Sequence, residues 1–357
     1  MLKPVRISNS TPVFYSILFL GTGVFVFFTH CFLSWRSKSN QYQTMKEALQ
    51  ILDHVRLNFS PTGLFALNVT IAFIMFGVAL DIKFEHFKAL LLRPKSMIVG
   101  VISQFVLLPA VTLLFIIVLN PTPTVALGMI LIAACPGGNI SNFMSALAKG
   151  NVALSVSLTA IATLAATFMT PINFAVWGKL YINFYNSIGA GDLLVPIEIE
   201  FLQMAQTVVI LLGLPVVLGL LFAKYLPALT QKIKKPIRQL SILIFIGFVI
   251  ALLSANFTNF LSYVHLVFLI VLIHNGLALL TGYSFSTLMR LQHLDRRTIT
   301  IETGIQNSGL ALVLMFNPKI FPPELELGGM TIIAAWWGVW HILSGFAVSY
   351  VMSKYRI

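Results

Sequence analysis

One carboxylate stands where carboxylates are costly. Of eleven acidic residues, ten (Glu47, Asp53, Asp81, Glu85, Asp192, Glu198, Glu200, Asp295, Glu324 and Glu326) fall at the ends of apolar runs or between them, whereas Glu302 lies inside one. An ionised carboxylate near the centre of a bilayer costs several kcal/mol unless it is paired. No Lys or Arg lies inside another apolar run to pair with it. Either a proton or a bound cation neutralises Glu302, or it lies close enough to the membrane surface to stay hydrated, with Arg296 and Arg297 one to two turns away.

The setting favours a bound ligand. The run Glu302-Thr303-Gly304-Ile305-Gln306-Asn307-Ser308-Gly309 puts polar side chains and two glycines mid-span, where glycine lets carbonyls turn out of the helical ladder. A second such run is Cys135-Pro136-Gly137-Gly138-Asn139-Ile140-Ser141-Asn142. Non-helical backbone at membrane depth is tolerated only inside protein or along a wet cavity. Each break alone reads as a kink with incidental polar residues; two breaks at matching places in two halves point to a site where they meet. Ser155, Thr159, Thr163 and Thr167 recur every four residues, on one helical face. Such hydroxyls often bond back to their own backbone. Beside Ser141 and Asn142, however, Ser155 and Thr159 offer neutral oxygens to a small hard cation. Gln104 and Asn275 occupy corresponding places in the two halves and either bind or tie helices together. His341 reads first as a packing histidine.

The elements that must position these groups are membrane helices. The chain has 357 residues, 58% hydrophobic and 10% charged, with a mean hydropathy of +0.91; soluble domains carry about 25% charged residues. Apolar runs of about 20 residues predict ten spans, at 12–35, 60–80, 96–119, 124–148, 151–176, 201–223, 239–255, 262–287, 298–316 and 327–352. The breaks fall in the fourth and ninth, so two halves of five insert in opposite senses. With the N-terminus cytoplasmic, 17 of the 23 Lys and Arg lie on that side, which places both termini inside. The run at 12–35 reads as a retained helix, being longer than a signal-peptide core. Residues 36–59 form an amphipathic interfacial linker, with Met45, Leu49, Leu52 and Val55 at helical spacing.

The same pattern excludes other classes. The net charge of +12 is dispersed in short gaps, which argues against nucleic acid. Cys31 and Cys135 give neither a disulfide framework nor a metal spacing. There is no HExxH, GxSxG or paired intramembrane carboxylate, so the chain is not expected to be an enzyme.

At these motifs the sequence resembles the bile acid:sodium symporters, particularly bacterial members. The resemblance rests on the runs at 135–142 and 148–156, on Glu302-x-Gly-x-Gln-Asn-Ser-Gly-Leu-Ala, and on Ile74-Met75-Phe76-Gly77, Gly100–Phe105 and Val339-Trp340-His341. It covers residue 60 to the C-terminus. It implies an all-α polytopic membrane protein of ten transmembrane helices in two inverted five-helix repeats, with broken helices 4 and 9 crossing at mid-membrane. Residues 1–35 would be the first helix, 60–186 the rest of repeat 1 and 187–357 repeat 2. Spans 3–5 and 8–10 would form a core, and spans 1, 2, 6 and 7 a panel. The resemblance implies two sodium sites: one from Ser141, Asn142, Ser155, Thr159 and Glu302, the other from Gln104, Glu302, Gln306 and the carbonyls of Thr303 and Ile305. Asn139, Asn307 and His341 would face the substrate, although Asn139 stands where many relatives carry a small hydroxyl residue.

The expectation is therefore a sodium-coupled symporter of a small organic anion (bile-acid-like, pantoate-like or a keto acid) in the cell's inner membrane. Its partners would be sodium, substrate and lipid, with no obligatory protein partner. A proton-coupled carrier using Glu302, or a membrane sensor, is the alternative.

Overall fold

The computed structural model describes residues 61–80, 94–187, 209–255, 257–317 and 325–355, with positions 47, 49, 50, 52, 82, 206, 320 and 321. The expected first span, most of the linker, and nearly all of the loop at 81–93 and of the start of the sixth span lie outside the described residues. The chain divides into Met1–Ala48, of which only Glu47 is described, and Leu49–Ile357. Positions 47, 49, 50 and 52 are helical, with Leu49 and Leu52 buried.

Proline starts several helices, where its missing N–H would have no partner anyway. It opens α1 (Pro61–Leu80), α2 (Pro94–Leu119) and α3 (Pro123–Ala134). Short α4 (Ile140–Leu147) leads into α5 (Val152–Ser187). Next come α6 (Leu214–Tyr225) and α7 (Pro227–Ala255), then α8 (Phe257–Leu288). The chain continues with α9 (His293–Gly304), α10 (Ser308–Met315) and α11 (Gly328–Lys354). Among the described residues the one extended pairing is an antiparallel bridge between Gly137 and Gln306.

Among the described residues, four helical stretches are long and apolar enough to cross a membrane: α2, α5, residues Val264–Leu288 of α8, and α11. With this composition, the protein is a helical membrane protein. The broken spans escape a length criterion because each is split. α3 and α9 have 12 residues each, α4 and α10 have 8. End to end, 20 helical residues cover about 30 Å, the thickness of the hydrocarbon core.

Burial shows what these pieces face. All residues of α3 and of α10 are buried, the signature of helices enclosed by other protein. The polar helix α9 is buried from Arg297 through Gly304. It packs against α8, α4 and α5, while α11 packs against α3, α8 and α10. α3 and α11 approach closely: a Cβ on Gly128 would lie 2.7 Å from the Cα of Met330. Small residues permit such contacts between membrane helices. α1 packs against α6 and α7.

Two boundaries differ from those read in the sequence. The fifth span was expected to end at 176, yet α5 runs on through Pro171 to Ser187. Buried Tyr185 ties that extension to the turn after α2, its hydroxyl donating to Asn120 Oδ1 at 2.5 Å. The basic stretch before the seventh span, read as a loop, is the start of α7, with Lys232, Lys234 and Lys235 helical. Charge marks where apolar character ends, and a helix need not end there.

Among the described residues π turns occur at Ser103–Leu107 in α2 and at Val209–Gly213 before α6. Each is followed by Leu-Pro, at Leu108-Pro109 and Leu214-Pro215. A proline cannot donate to the carbonyl four residues back, and the ladder widens by one residue to pass it.

Candidate functional site

The two breaks meet. Gly138 N–H donates to the Ile305 carbonyl at 2.7 Å, and Asn307 N–H donates to the Pro136 carbonyl at 2.8 Å. Four helix ends converge at this bridge: the C-terminal ends of α3 and α9 and the N-terminal ends of α4 and α10. Carbonyl ends carry partial negative charge and N–H ends partial positive charge, so the crossing offers cation-favouring and anion-favouring faces side by side.

Glu302, in the last turn of α9, is fully buried. Ser141 Oγ donates to its Oε1 at 2.6 Å, and Ser155 Oγ makes a short bond to the same oxygen. Thr159 Oγ1 lies 3.2 Å from Oε1 and 3.1 Å from Oε2, and 3.2 Å from Asn142 Oδ1. The hydrogen-bond partners of this carboxylate are thus neutral hydroxyls from α4 and α5. A buried carboxylate at a carbonyl end of a helix is electrostatically the wrong sign for its place, and a cation corrects it. The donor set is all oxygen, which suits a hard cation.

The carbonyls of the same turn are capped by side-chain amides. Asn275 Nδ2 donates to the Gly304 carbonyl at 2.7 Å, and Gln306 Nε2 to that of Thr303 at 2.8 Å. Gln104 Nε2 reaches the Glu302 carbonyl at 3.3 Å, while its Oε1 accepts from Gly137 N–H at 3.4 Å. Gln104 sits in the π turn of α2. Gln306 Oε1 is buried with no hydrogen-bond partner, although such groups are nearly always satisfied. That orphaned acceptor, on the amide whose Nε2 caps the Thr303 carbonyl, has the oxygen chemistry that a hard cation takes.

The structure therefore gathers Ser141, Asn142, Ser155, Thr159, Glu302, Gln104, Thr303, Ile305 and Gln306 around one crossing. The three residues expected to face substrate are placed differently. Asn139 is exposed and Asn307 half-buried. Asn307 Oδ1 caps α10 by accepting from Leu310 N–H at 3.0 Å. His341 is buried, and its Nδ1 donates to the Trp337 carbonyl of its own helix at 2.6 Å.

Sequence reasoning passed over three partners. Ser103 shares a hydrogen bond with Thr303 at 2.9 Å, Ser145 with Ser155 at 3.2 Å, and Ser344 donates to Asn275 Oδ1. Only the four-residue spacing of Ser141 and Ser145 was a signal.

Residues 68–263, more than half of the chain, match the Sodium Bile acid symporter family. The chain belongs to that family. The uncharacterized sodium-dependent transporter YocS of Bacillus subtilis (strain 168) is 32% identical over 306 residues, covering 84% of this chain and 88% of its own. The probable sodium/metabolite cotransporter BASS2, chloroplastic, of Oryza sativa subsp. japonica is 29% identical, over 84% of this chain and 73% of its own. The hepatic sodium/bile acid cotransporter of Rattus norvegicus is 26% identical, over 79% and 75% respectively. Membership is what the broken-helix motifs implied. Sodium bile acid symporter proteins are transporters, not enzymes, and this member is an integral membrane protein.

Proposed function

We propose that the protein is a sodium-coupled secondary active symporter of an organic anion, working by alternating access from the cell membrane with both termini cytoplasmic. The observation that carries this reading is the buried Glu302 carboxylate, held by three neutral hydroxyls at the carbonyl end of α9. Sodium there neutralises the charge and takes oxygens from both broken spans, fixing the crossing. A second sodium is assigned to Gln306 Oε1, Gln104, Glu302 and the carbonyls of Thr303 and Ile305.

The ten-span architecture of two inverted repeats is part of the same reading. Its support is the matched pair of broken helices, 12 residues then 8, in each half. The core is then α2–α5 with α8–α11, and the panel includes α1, α6 and α7, in keeping with the packing of α1 on α6 and α7. Exposed Asn139 and half-buried Asn307, at the N-terminal ends of α4 and α10, would meet an anionic group. The substrate is bile-acid-like, pantoate-like or a keto acid, as the sodium/bile acid and sodium/metabolite names of the relatives suggest. Ion and anion each raise the other's affinity, a reciprocal coupling of ~1–3 kcal/mol.

The test is uptake of labelled taurocholate, pantoate and pyruvate into proteoliposomes under a sodium gradient, a proton gradient, or neither. Sodium-driven uptake of one of them supports the reading. Uptake that follows the proton gradient and ignores sodium overturns it in favour of a proton-coupled carrier.

A further inference from the structure

We propose that Ser145 is a positioning residue for sodium, accepting the hydrogen bond of the Ser155 hydroxyl when Ser155 turns a lone pair to the cation. The proposal rests on the reading of Glu302 as a sodium-binding carboxylate.

A serine or threonine hydroxyl has one proton to give and two lone pairs. Around Glu302, Ser141, Ser155 and Thr159 all lie within hydrogen-bond reach of the carboxylate. A cation seated among these oxygens needs the lone pairs, and it repels the protons. Each hydroxyl that becomes a ligand therefore needs a second acceptor on its far side. In a fully buried site a proton without one is expensive.

The structure supplies all three acceptors. Thr159 Oγ1 has Asn142 Oδ1 at 3.2 Å, and Ser141 Oγ has Thr159 Oγ1 at 3.4 Å. Ser155 Oγ has Ser145 Oγ at 3.2 Å. Ser141 and Ser145 are one turn apart on α4, as Ser155 and Thr159 are on α5, so the two helices face each other with two rungs of paired hydroxyls. Two of the rungs' members serve the carboxylate directly from α5, and one from α4. Ser145 is the member that touches Glu302 through another residue.

Its placement is fixed from below. Ser145 is fully buried, and its carbonyl accepts from Gly150 N–H at 2.8 Å in the turn that closes α4. In that turn Lys149 adopts φ 54. Ser145's own proton can turn to a carbonyl one turn back along α4, as helical serines do. No bond to hydrogen breaks; two hydroxyl rotors turn together.

The experiment is a sodium titration of melting temperature for purified wild type, Ser145→Ala, Ser145→Cys and Ser145→Thr, with choline chloride holding ionic strength. Ser145→Ala and Ser145→Cys remove the strong acceptor, and each should raise the half-saturating sodium about tenfold. Ser145→Thr keeps the hydroxyl and should restore the wild-type value. The cysteine variant preserves side-chain volume and reads the effect should the alanine variant fail to fold. Half-saturation equal to wild type in the alanine or cysteine variant overturns the proposal, as does a melt lowered equally in choline and sodium, which marks a merely structural role. A wild type with no sodium-specific shift instead overturns the reading of Glu302, and Ser145's role with it.

Discussion

The N–H of Gly138 donates to the carbonyl of Ile305 at 2.7 Å, joining two chain breaks that are far apart in sequence. Backbone groups freed by a broken membrane helix find no water in the hydrocarbon core. Here each break satisfies the other, so the frame of the crossing is stiff. What can adjust within it is the Glu302 carboxyl and the hydroxyls around it.

Stiffness makes Gly137 a sensitive position. A Cβ there would lie 3.0 Å from Glu302 Oε2, 3.1 Å from the Glu302 carbonyl and 3.3 Å from Gln104 Nε2. Gly137→Ala should displace the carboxylate, at an overpacking cost of about 1–3 kcal/mol. We expect a lower melting temperature in choline and a weakened sodium response. Unchanged half-saturating sodium would show that the carboxyl moves aside without losing its ligands.

Glu302 itself separates charge from shape. Glu302→Gln removes the buried charge and keeps an acceptor for the hydroxyls; it should abolish sodium-dependent stabilisation and uptake. In choline it should melt no lower than wild type, since a buried charge without a counter-ion is itself costly to hold. Glu302→Ala also loses the sodium response, but it strands hydroxyls at about 1–3 kcal/mol each and should melt lower. Sodium-driven uptake by either variant would remove Glu302 from the coupling mechanism.

Much of this site was legible before any coordinates, for a physical reason. A carboxylate within an apolar run needs a partner, and Pro136-Gly137-Gly138 announces a break wherever it stands. The joining of the two breaks was not legible in detail: a two-residue bridge leaves no period in the sequence. His341 shows the opposite limit. Its residue type reads first as a packing histidine and the resemblance turns it toward substrate; the local bond from its Nδ1 to the Trp337 carbonyl one turn away is announced by neither. Helix ends were the least legible part. Hydropathy reads lipid contact, whereas α5 is prolonged by protein contacts of Tyr181 and Tyr185, both buried.

A second buried carboxylate supplies the control. Asp295, two turns before Glu302 on α9, accepts from Ser96 Oγ at 2.6 Å and from Asn151 Nδ2 at 2.7 Å. It lies in the first turn of α9, where negative charge is favourable. This carboxylate ties helices together and lies where the helix dipole favours it. Asp295→Ala should lower stability by about 1–3 kcal/mol in sodium and choline alike, with half-saturating sodium unchanged. A large loss of sodium affinity would mean that the far end of α9 takes part in ion binding.

Two sodium sites sharing Glu302 predict a specific change in the shape of the sodium curve. Gln306 Oε1 is a buried acceptor without a partner, and its Nε2 caps the Thr303 carbonyl at 2.8 Å. Gln306→Leu keeps the volume and deletes both functions. The lost cap should cost about 1 kcal/mol of stability, a modest drop in melting temperature. The lost acceptor should abolish one site and leave Ser141, Ser155 and Thr159 on the other. Uptake plotted against sodium should then fall from a slope above one to a slope of one, with the sodium-specific melting shift retained but smaller. A sigmoidal curve that survives Gln306→Leu would place any second ion elsewhere, and a wild-type curve with a slope of one would leave Glu302 serving a single ion.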